Sequence, residues 1–142
     1  MHEKPPRAPA PRGEKVLPGP GHSFAMERWK VPVLTCAYHT HPEFEITLVD
    51  GGHGSRLIGD HLGAYGEGDL VLIGSGLPHL YHGRAEDSRS PTWARSYAIK
   101  FAPHCFGPDF FELPELRPVR ALLGRSSRGL SFPPATRMKA AA

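Results

Sequence analysis

The chain has little sulfur and no long apolar run, and both absences narrow its function. Only two cysteines occur in 142 residues, Cys36 and Cys105. Neither stands in a Cys-x2-Cys pair, so zinc-finger arrangements are excluded. Two reduced thiols are the expectation, and spacing alone leaves a bridge open. No apolar run approaches the roughly 18 residues needed to cross a bilayer. The N-terminus lacks the apolar segment of a secretory signal, so a cytoplasmic protein without a membrane partner is expected. Familiar catalytic signatures are missing too. There is no Gly-x-Ser-x-Gly elbow and no glycine-rich loop ending in Lys-Ser/Thr. Gly66-Glu-Gly68-Asp sits between strands and opens no helix, so the dinucleotide fingerprint fails. No internal repeat is evident.

What is abundant is proline and glycine, 16 of each. Residues 1–22 combine them with charge and almost no apolar periodicity. Such a segment cannot bury enough surface to offset the entropy of ordering, and a disordered arm is expected. Residues 133–142 read the same way, as a disordered tail. The formal charge of +3 is concentrated at the ends, with Lys4, Arg7, Arg12 and Lys15 at one and Arg117, Arg120, Arg125, Arg128, Arg137 and Lys139 at the other. Solvated tails account for this better than a nucleic-acid surface does.

Between the ends lie short strands punctuated by glycine. Phe24–Lys30 is a candidate first strand. Phe44–Val49 ends at Asp50-Gly51-Gly52, Ser55–Ile58 at Gly59-Asp60, Leu62–Tyr65 at Gly66, and Leu70–Ile73 at Gly74. After a polar loop at 84–91, Thr92–Phe101 sets Trp93, Arg95, Tyr97, Ile99 and Phe101 against Ala94, Ser96, Ala98 and Lys100. Strands this short and regular predict an all-β sandwich or barrel over residues 23–110. Phe44, Ile46 and Leu48 oppose Thr47 and Val49, so a strand apolar on both faces is expected to be covered from outside. Residues 111–132 then carry Leu116, Val119, Leu122 and Leu123 at helical spacing. Pro114 and Pro118 fall near the start, where a helix tolerates them. An amphipathic helix is predicted there, its stripe packing on the barrel or on a second subunit.

Chemistry is concentrated in His39-Thr-His41-Pro-Glu-Phe-Glu45 and, downstream, in Gly68-Asp-Leu-Val-Leu-Ile-Gly-Ser-Gly76-Leu-Pro78-His79. Alternate residues on a strand share a face, so His39, His41 and Glu45 can point together if Pro42 preserves the register. His79 must arrive from a neighbouring strand. Three imidazoles and a carboxylate suit a transition metal (Fe, Mn, Zn or Ni) better than a hard cation. The alternative is that the four groups hydrogen-bond one another, or a ligand, without metal. Tyr38, Tyr81, Trp93 and Tyr97 are candidate walls for a sugar or aromatic ligand, with Glu43 as a pocket carboxylate. Ordinary core packing is the alternative for each. His53 and His61 lie beside turns, and His82 falls on the wrong face to join His79.

The two histidine-bearing elements resemble the paired motifs of the cupin superfamily. His-x-His-x3-Glu-x6-Gly is matched at His39, His41, Glu45 and Gly52. Gly-x5-Pro-x-Gly-x2-His-x3-Asn is matched at Gly68, Gly76 and His79. Val33 departs from the first, standing where Gly is usual, and Gly74 and Gly83 depart from the second, standing where Pro and Asn are usual. A narrower resemblance runs over roughly residues 23–135. The stretches "HTHPEFEITLVDGGHGSRLIGDH", "GDLVLIGSGLPHLYH" and "FELPELRPVRALLGRSSRGLSF" are similar to the N-terminal sensor domains of AraC-type transcription regulators.

This resemblance implies a cupin double-stranded β-helix, or jelly-roll barrel, with a C-terminal linker helix. It implies a small-molecule effector, a homodimer, and an arm that moves with the ligand. DNA would be contacted only through a helix-turn-helix region beyond the linker, and the chain is expected to stop before it. Two functions follow. One is a ligand-sensing and dimerisation domain of the AraC type, regulatory rather than enzymatic. The other is a small stand-alone metal-dependent cupin enzyme of the dioxygenase or isomerase type.

Overall fold

A computed structural model describes residues 9–85 and 93–141. Residues 1–8 of the expected arm, most of the expected loop at 84–91, and Ala142 lie outside the described residues. Among the described residues ten strands form: β1 (Arg12–Gly13), β2 (Ala25–Val31), β3 (Thr35–Thr40), β4 (Phe44–Gly51), β5 (Gly54–Ile58), β6 (His61–Tyr65), β7 (Leu70–Ile73), β8 (His79–Gly83), β9 (Ala94–Phe101) and β10 (Leu130–Ser131). Two α-helices accompany them there, α1 (Arg117–Arg125) before β10 and α2 (Pro134–Ala141) after it.

The strands make two five-stranded sheets, ordered β1-β3-β8-β5-β6 and β10-β7-β4-β9-β2. From β3 to β9 the chain passes repeatedly from one sheet to the other, as a double-stranded β-helix requires. The glycine-rich stretch after Asp50 is therefore a crossover between sheets and not a hairpin. The buried Arg56–Asp69 pair, Nε to Oδ2 at 2.8 Å, ties β5 to the approach of β7.

Alternation sets the interior. On β4, Glu45, Thr47 and Val49 are buried while Phe44, Ile46 and Leu48 are half-buried. On β9, Ala94, Ser96, Ala98 and Lys100 are buried, and the larger Arg95, Tyr97, Ile99 and Phe101 face outward. The register pairs Glu45 with Lys100 and Phe44 with Phe101. Opposed residues in an antiparallel pair share a face, so a polar inner pair stands beside an aromatic outer pair. Small inward residues on β9 leave the barrel hollow at one end. Elsewhere it is filled by Val49, Tyr65 and Tyr81, and by Ile58, Val71 and Ile73.

The outer face is covered as the two-sided apolar strand predicts. Phe101 meets Phe44 at 5.5 Å and Phe111 at 6.3 Å between ring centroids, and Phe110 stacks on Phe111 at 5.2 Å. The expected linker helix is broken into short pieces. Two 3-10 turns (Phe110–Glu112 and Pro114–Leu116) precede α1, and a third (Ser126–Arg128) follows it. Pro114 and Pro118 donate no backbone N–H, so an unbroken helix from residue 111 loses hydrogen bonds. Along α1, Leu123 is buried, Leu122 is half-buried and Val119 is exposed, while Leu116, just before it, is half-buried. The chain then returns as β10, which pairs with β7 through Leu130 and Leu72.

Parts of the two segments expected to be disordered carry regular structure. Arg12 and Gly13 pair in parallel with His39 and Thr40. Pro134–Ala141 forms α2, where alanines and a leading proline favour a helix once the chain is anchored.

Gly74, which departs from the cupin motif, has a physical reason to be there. A Cβ at this position would lie 2.4 Å from the Ser126 carbonyl oxygen. Backbone of the returning segment occupies the space any side chain needs. Gly74→Ala is expected to destabilise the fold by about 1–3 kcal/mol through overpacking, read as a lower urea midpoint. An unchanged midpoint would show that the C-terminal segment is not packed against β7.

Candidate functional site

At the hollow end the structure brings His39, His41, Glu45 and His79 together, with one ligand atom from each within 4.8 Å of the others. They come from both sheets. His39 ends β3 and pairs in register with His79, which opens β8. His41 lies in the link to β4, and Glu45 is on β4 itself. The shared direction inferred along one strand thus arises from two strands on opposite walls, with the turn at Pro42 between them.

The three imidazoles are held in one orientation. Nδ1 of His39 donates to the Ala37 carbonyl at 2.7 Å, that of His41 to Glu43 at 3.2 Å, and that of His79 to Leu77 at 2.9 Å. A carbonyl only accepts, so each hydrogen bond places the proton on Nδ1 and aims Nε2 at the cluster. Nε2 of His41 lies 2.9 Å from Glu45 Oε2. Nε2 of His79 is 3.5 Å from the same oxygen, too long for a good hydrogen bond, and is buried without a partner. Thr47 Oγ1 donates to Glu45 Oε1 at 2.5 Å.

These features fit a transition metal. The donor set is borderline in softness, each ring is anchored through Nδ1 with Nε2 aimed at the cluster, and Nε2 of His79 is buried without a hydrogen-bond partner. Ligands about 2.0–2.2 Å from a metal lie roughly 3.0–3.5 Å from one another, close to the 2.9 and 3.5 Å seen here.

Lys100, 4% exposed, lies beside the quartet. Its Nζ is 3.0 Å from Glu14 Oε2, 3.2 Å from Glu27 Oε1 and 3.9 Å from Glu45 Oε2. Burial disfavours the ammonium, but Glu45, Glu14 and Glu27 hold its pKa above the ordinary value. Burial likewise opposes ionisation of Glu45, yet the neighbouring His41 and His79 rings keep its carboxyl well below the usual range. For His39, burial and then the charge of His79 lower the pKa, favouring the neutral ring a metal needs.

Above this floor opens a cavity of about 530 Å³, within the range of small-molecule sites. Its walls include Trp29, Val31, Cys36, Thr47, Tyr81, Ser96, Ala98 and Lys100, and its rim includes Arg12, Glu14 and Lys15. Burial pushes the Cys36 thiol up to about 11, so it is an inert wall and no nucleophile. Burial also raises Tyr81 well above its ordinary value, keeping the phenol protonated. Its hydroxyl is buried without a hydrogen-bond partner.

Of the aromatic and acidic candidates, Tyr81 alone lines the cavity. Tyr38, Glu43, Trp93 and Tyr97 lie outside its lining. Tyr38 is half-buried on β3, whose register shifts between the two cavity residues Cys36 and His39. Tyr97 is on the outer face of β9, with Arg28 5.7 Å from its ring centroid. Trp93 is 47% exposed, with Lys30 5.8 Å from its ring. Glu43 stands behind the site, its Oε2 3.6 Å from His41 Nδ1. The sequence reading missed Trp29, Glu27, Lys100 and Glu14. For Lys100 a signal existed, since it ends the row Ala94, Ser96, Ala98 opposite the large side chains. Glu14 lay inside a segment whose composition suggested disorder.

The sequence profile described as the AraC-like ligand binding domain matches residues 21–107. No curated protein matches the chain. Among solved structures, a cupin 2 conserved barrel domain protein from Salinispora arenicola CNS-205 is 19% identical over 65% of this chain and 76% of its own, with a TM-score of 0.47. ToxT from Vibrio cholerae is 11% identical, covering 78% of this chain and 42% of its own, with a TM-score of 0.49. A mutant of the oxalate decarboxylase OxdC of Bacillus subtilis is 24% identical, covering 58% of this chain and 22% of its own, with a TM-score of 0.46. The profile spans more than half of the chain and includes all four clustered residues and strands β2 to β9. The chain belongs to the AraC-like ligand-binding domain family.

Proposed function

We propose that the barrel senses a small polar effector, a sugar or an aromatic acid, and passes its occupancy to the C-terminal helix. The observation that carries this reading is the cavity itself. It has an aromatic wall at Trp29 and Tyr81, an ammonium at Lys100, and carboxylates at Glu14 and Glu27. An apolar face to stack on and a few convergent polar groups are what a hydroxylated ring or an aromatic carboxylate needs. One divalent metal, Fe, Mn, Zn or Ni, would be held by His39, His41, Glu45 and His79. It would supply a Lewis-acidic point at the cavity floor for an effector oxygen.

The route outward runs through the sheet. Glu45 and Lys100 face the effector, and Phe44 and Phe101 directly follow them in register on the outer face, against Phe111. Ordering or shifting the inner pair bears on the aromatic contact that leads into α1. A ligand can drive such a change only through unequal affinity for the two arrangements. In the same proposal, exposed Val119 and half-buried Leu122 of α1 contribute to a homodimer, and DNA is reached through a separate partner domain.

A second reading is a metal-dependent cupin enzyme of the dioxygenase or isomerase type. The unsatisfied Nε2 of His79 favours it, because a sensor of organic ligands alone does not need three aimed imidazoles.

Three measurements test these proposals. In a thermal-shift panel of sugars and aromatic acids, at least one class should raise the melting temperature of the wild type and not of Ala98→Trp, which fills the cavity. No shift for any compound would contradict an effector of these classes. Saturating Zn²⁺ or Mn²⁺ at a hundredfold excess over Kd should stabilise the wild type by about 2.7 kcal/mol and leave His79→Ala unchanged. Identical melting of both proteins with metal and with chelator would sink the metal assignment. Sedimentation at micromolar concentration should show dimer weakened by Val119→Asp, and an unaltered profile would remove α1 from the interface.

A further inference from the structure

The N-terminal segment brings a carboxylate to the metal quartet. Glu14 follows the two-residue strand β1, and its backbone N–H donates to the Thr40 carbonyl at 2.9 Å. The side chain reaches inward. Glu14 Oε2 lies 3.4 Å from His39 Nε2, 4.0 Å from His41 Nε2 and 3.0 Å from Lys100 Nζ. The first separation is that of neighbouring ligands around one transition-metal ion, and the second is longer. They also place Glu14 against the nitrogens that the histidines aim away from their backbone anchors.

Charge points the same way. Lys100 is one cation facing three carboxylates, Glu14, Glu27 and Glu45. With neutral imidazoles, the form in which they ligate, the cluster carries two negative charges in excess. A divalent cation balances it. Among the described residues the segment is otherwise held by the Lys100 pair, the Glu14–Thr40 hydrogen bond and two residues of strand pairing, which are marginal by themselves.

Resting on the metal assignment above, we infer that Glu14 is a further ligand of the metal, so that a divalent cation in the quartet fastens the N-terminal segment across the cavity rim. Arg12, Glu14 and Lys15 stand at that rim. The metal therefore acts as a clasp, and effector access depends on whether it is closed. A carboxylate on a lightly held segment can leave the metal with little disturbance to the barrel, which the quartet residues cannot do.

The test uses the full chain with Mn²⁺ and Zn²⁺ alone as probes, read by calorimetric titration and by hydrogen exchange at the Glu14 amide. Wild type is expected to bind one equivalent of metal and to slow exchange at that amide about tenfold. Glu14→Gln keeps an oxygen for Lys100 but removes the anionic ligand. It should weaken metal binding about tenfold, the lower end of what loss of a supporting group costs a site, and abolish the metal-dependent protection. Glu27→Gln is the control. It removes the same charge from around Lys100 without approaching an imidazole, and should retain both properties.

Metal binding and amide protection equal in wild type and Glu14→Gln would overturn the inference while leaving the quartet intact. Equal losses in Glu14→Gln and Glu27→Gln would overturn it in favour of a charge effect without ligation. Absence of metal binding in the wild type would overturn both it and the metal assignment.

Discussion

An ammonium buried in the wall of a barrel is tolerable only if charge of the opposite sign surrounds it, and the arrangement around Lys100 follows from that constraint. Leaving such a group unpaired costs several kcal/mol. Lys100 is 4% exposed, and its partners come from three separate parts of the chain: the N-terminal segment through Glu14, β2 through Glu27, and β4 through Glu45. Pairing this one cation joins the segment to both neighbours of β9. Ser96 and Ala98 precede it on the same inward face, and their small size leaves the space above it open. The charged floor and the empty volume are thus two consequences of one strand's alternation.

The same alternation gives the cavity a connection to the outside. Each inward residue on β4 and β9 has an outward neighbour, so the Glu45–Lys100 pair adjoins the Phe44–Phe101 pair. Phe111 rests on Phe101 and begins the path to α1. A packed aromatic contact resists continuous deformation and responds in discrete repacking steps, which suits a switch. At the opposite boundary, Gly74 lets the backbone at Ser126 and Ser127 sit directly against β7. The C-terminal segment is therefore held through Phe111, at Gly74 and by the pairing of β10 with β7.

Much of this was legible in the residues. The strand positions followed from glycine spacing, and Leu70–Ile73 agrees at both ends. The His-x-His-x3-Glu and Gly-x2-His elements identified the quartet because ligand chemistry restricts residue type as well as spacing. The cavity wall was less legible. The alternation of β9 was plain, but which face turned inward was not, and large aromatics commonly take the interior. Here they do not, so Trp93 and Tyr97 fall outside and Lys100 inside. The N-terminal segment was illegible for a different reason. Its order comes from tertiary contacts of Glu14, and composition reports only what a segment can bury by itself. The helix at 134–141 likewise depends on preceding chain that β10 has already fixed.

Three imidazoles anchored through Nδ1 and one buried carboxylate make the proposed metal centre at the floor of the ligand cavity. Crystals grown with Zn²⁺ and measured at the zinc absorption edge test it directly. The account predicts a single strong anomalous peak among the Nε2 atoms of His39, His41 and His79 and the carboxylate of Glu45. A map without that peak, with His41 still hydrogen-bonded to Glu45 and Lys100 still paired, would show a polar cluster that serves the barrel without metal.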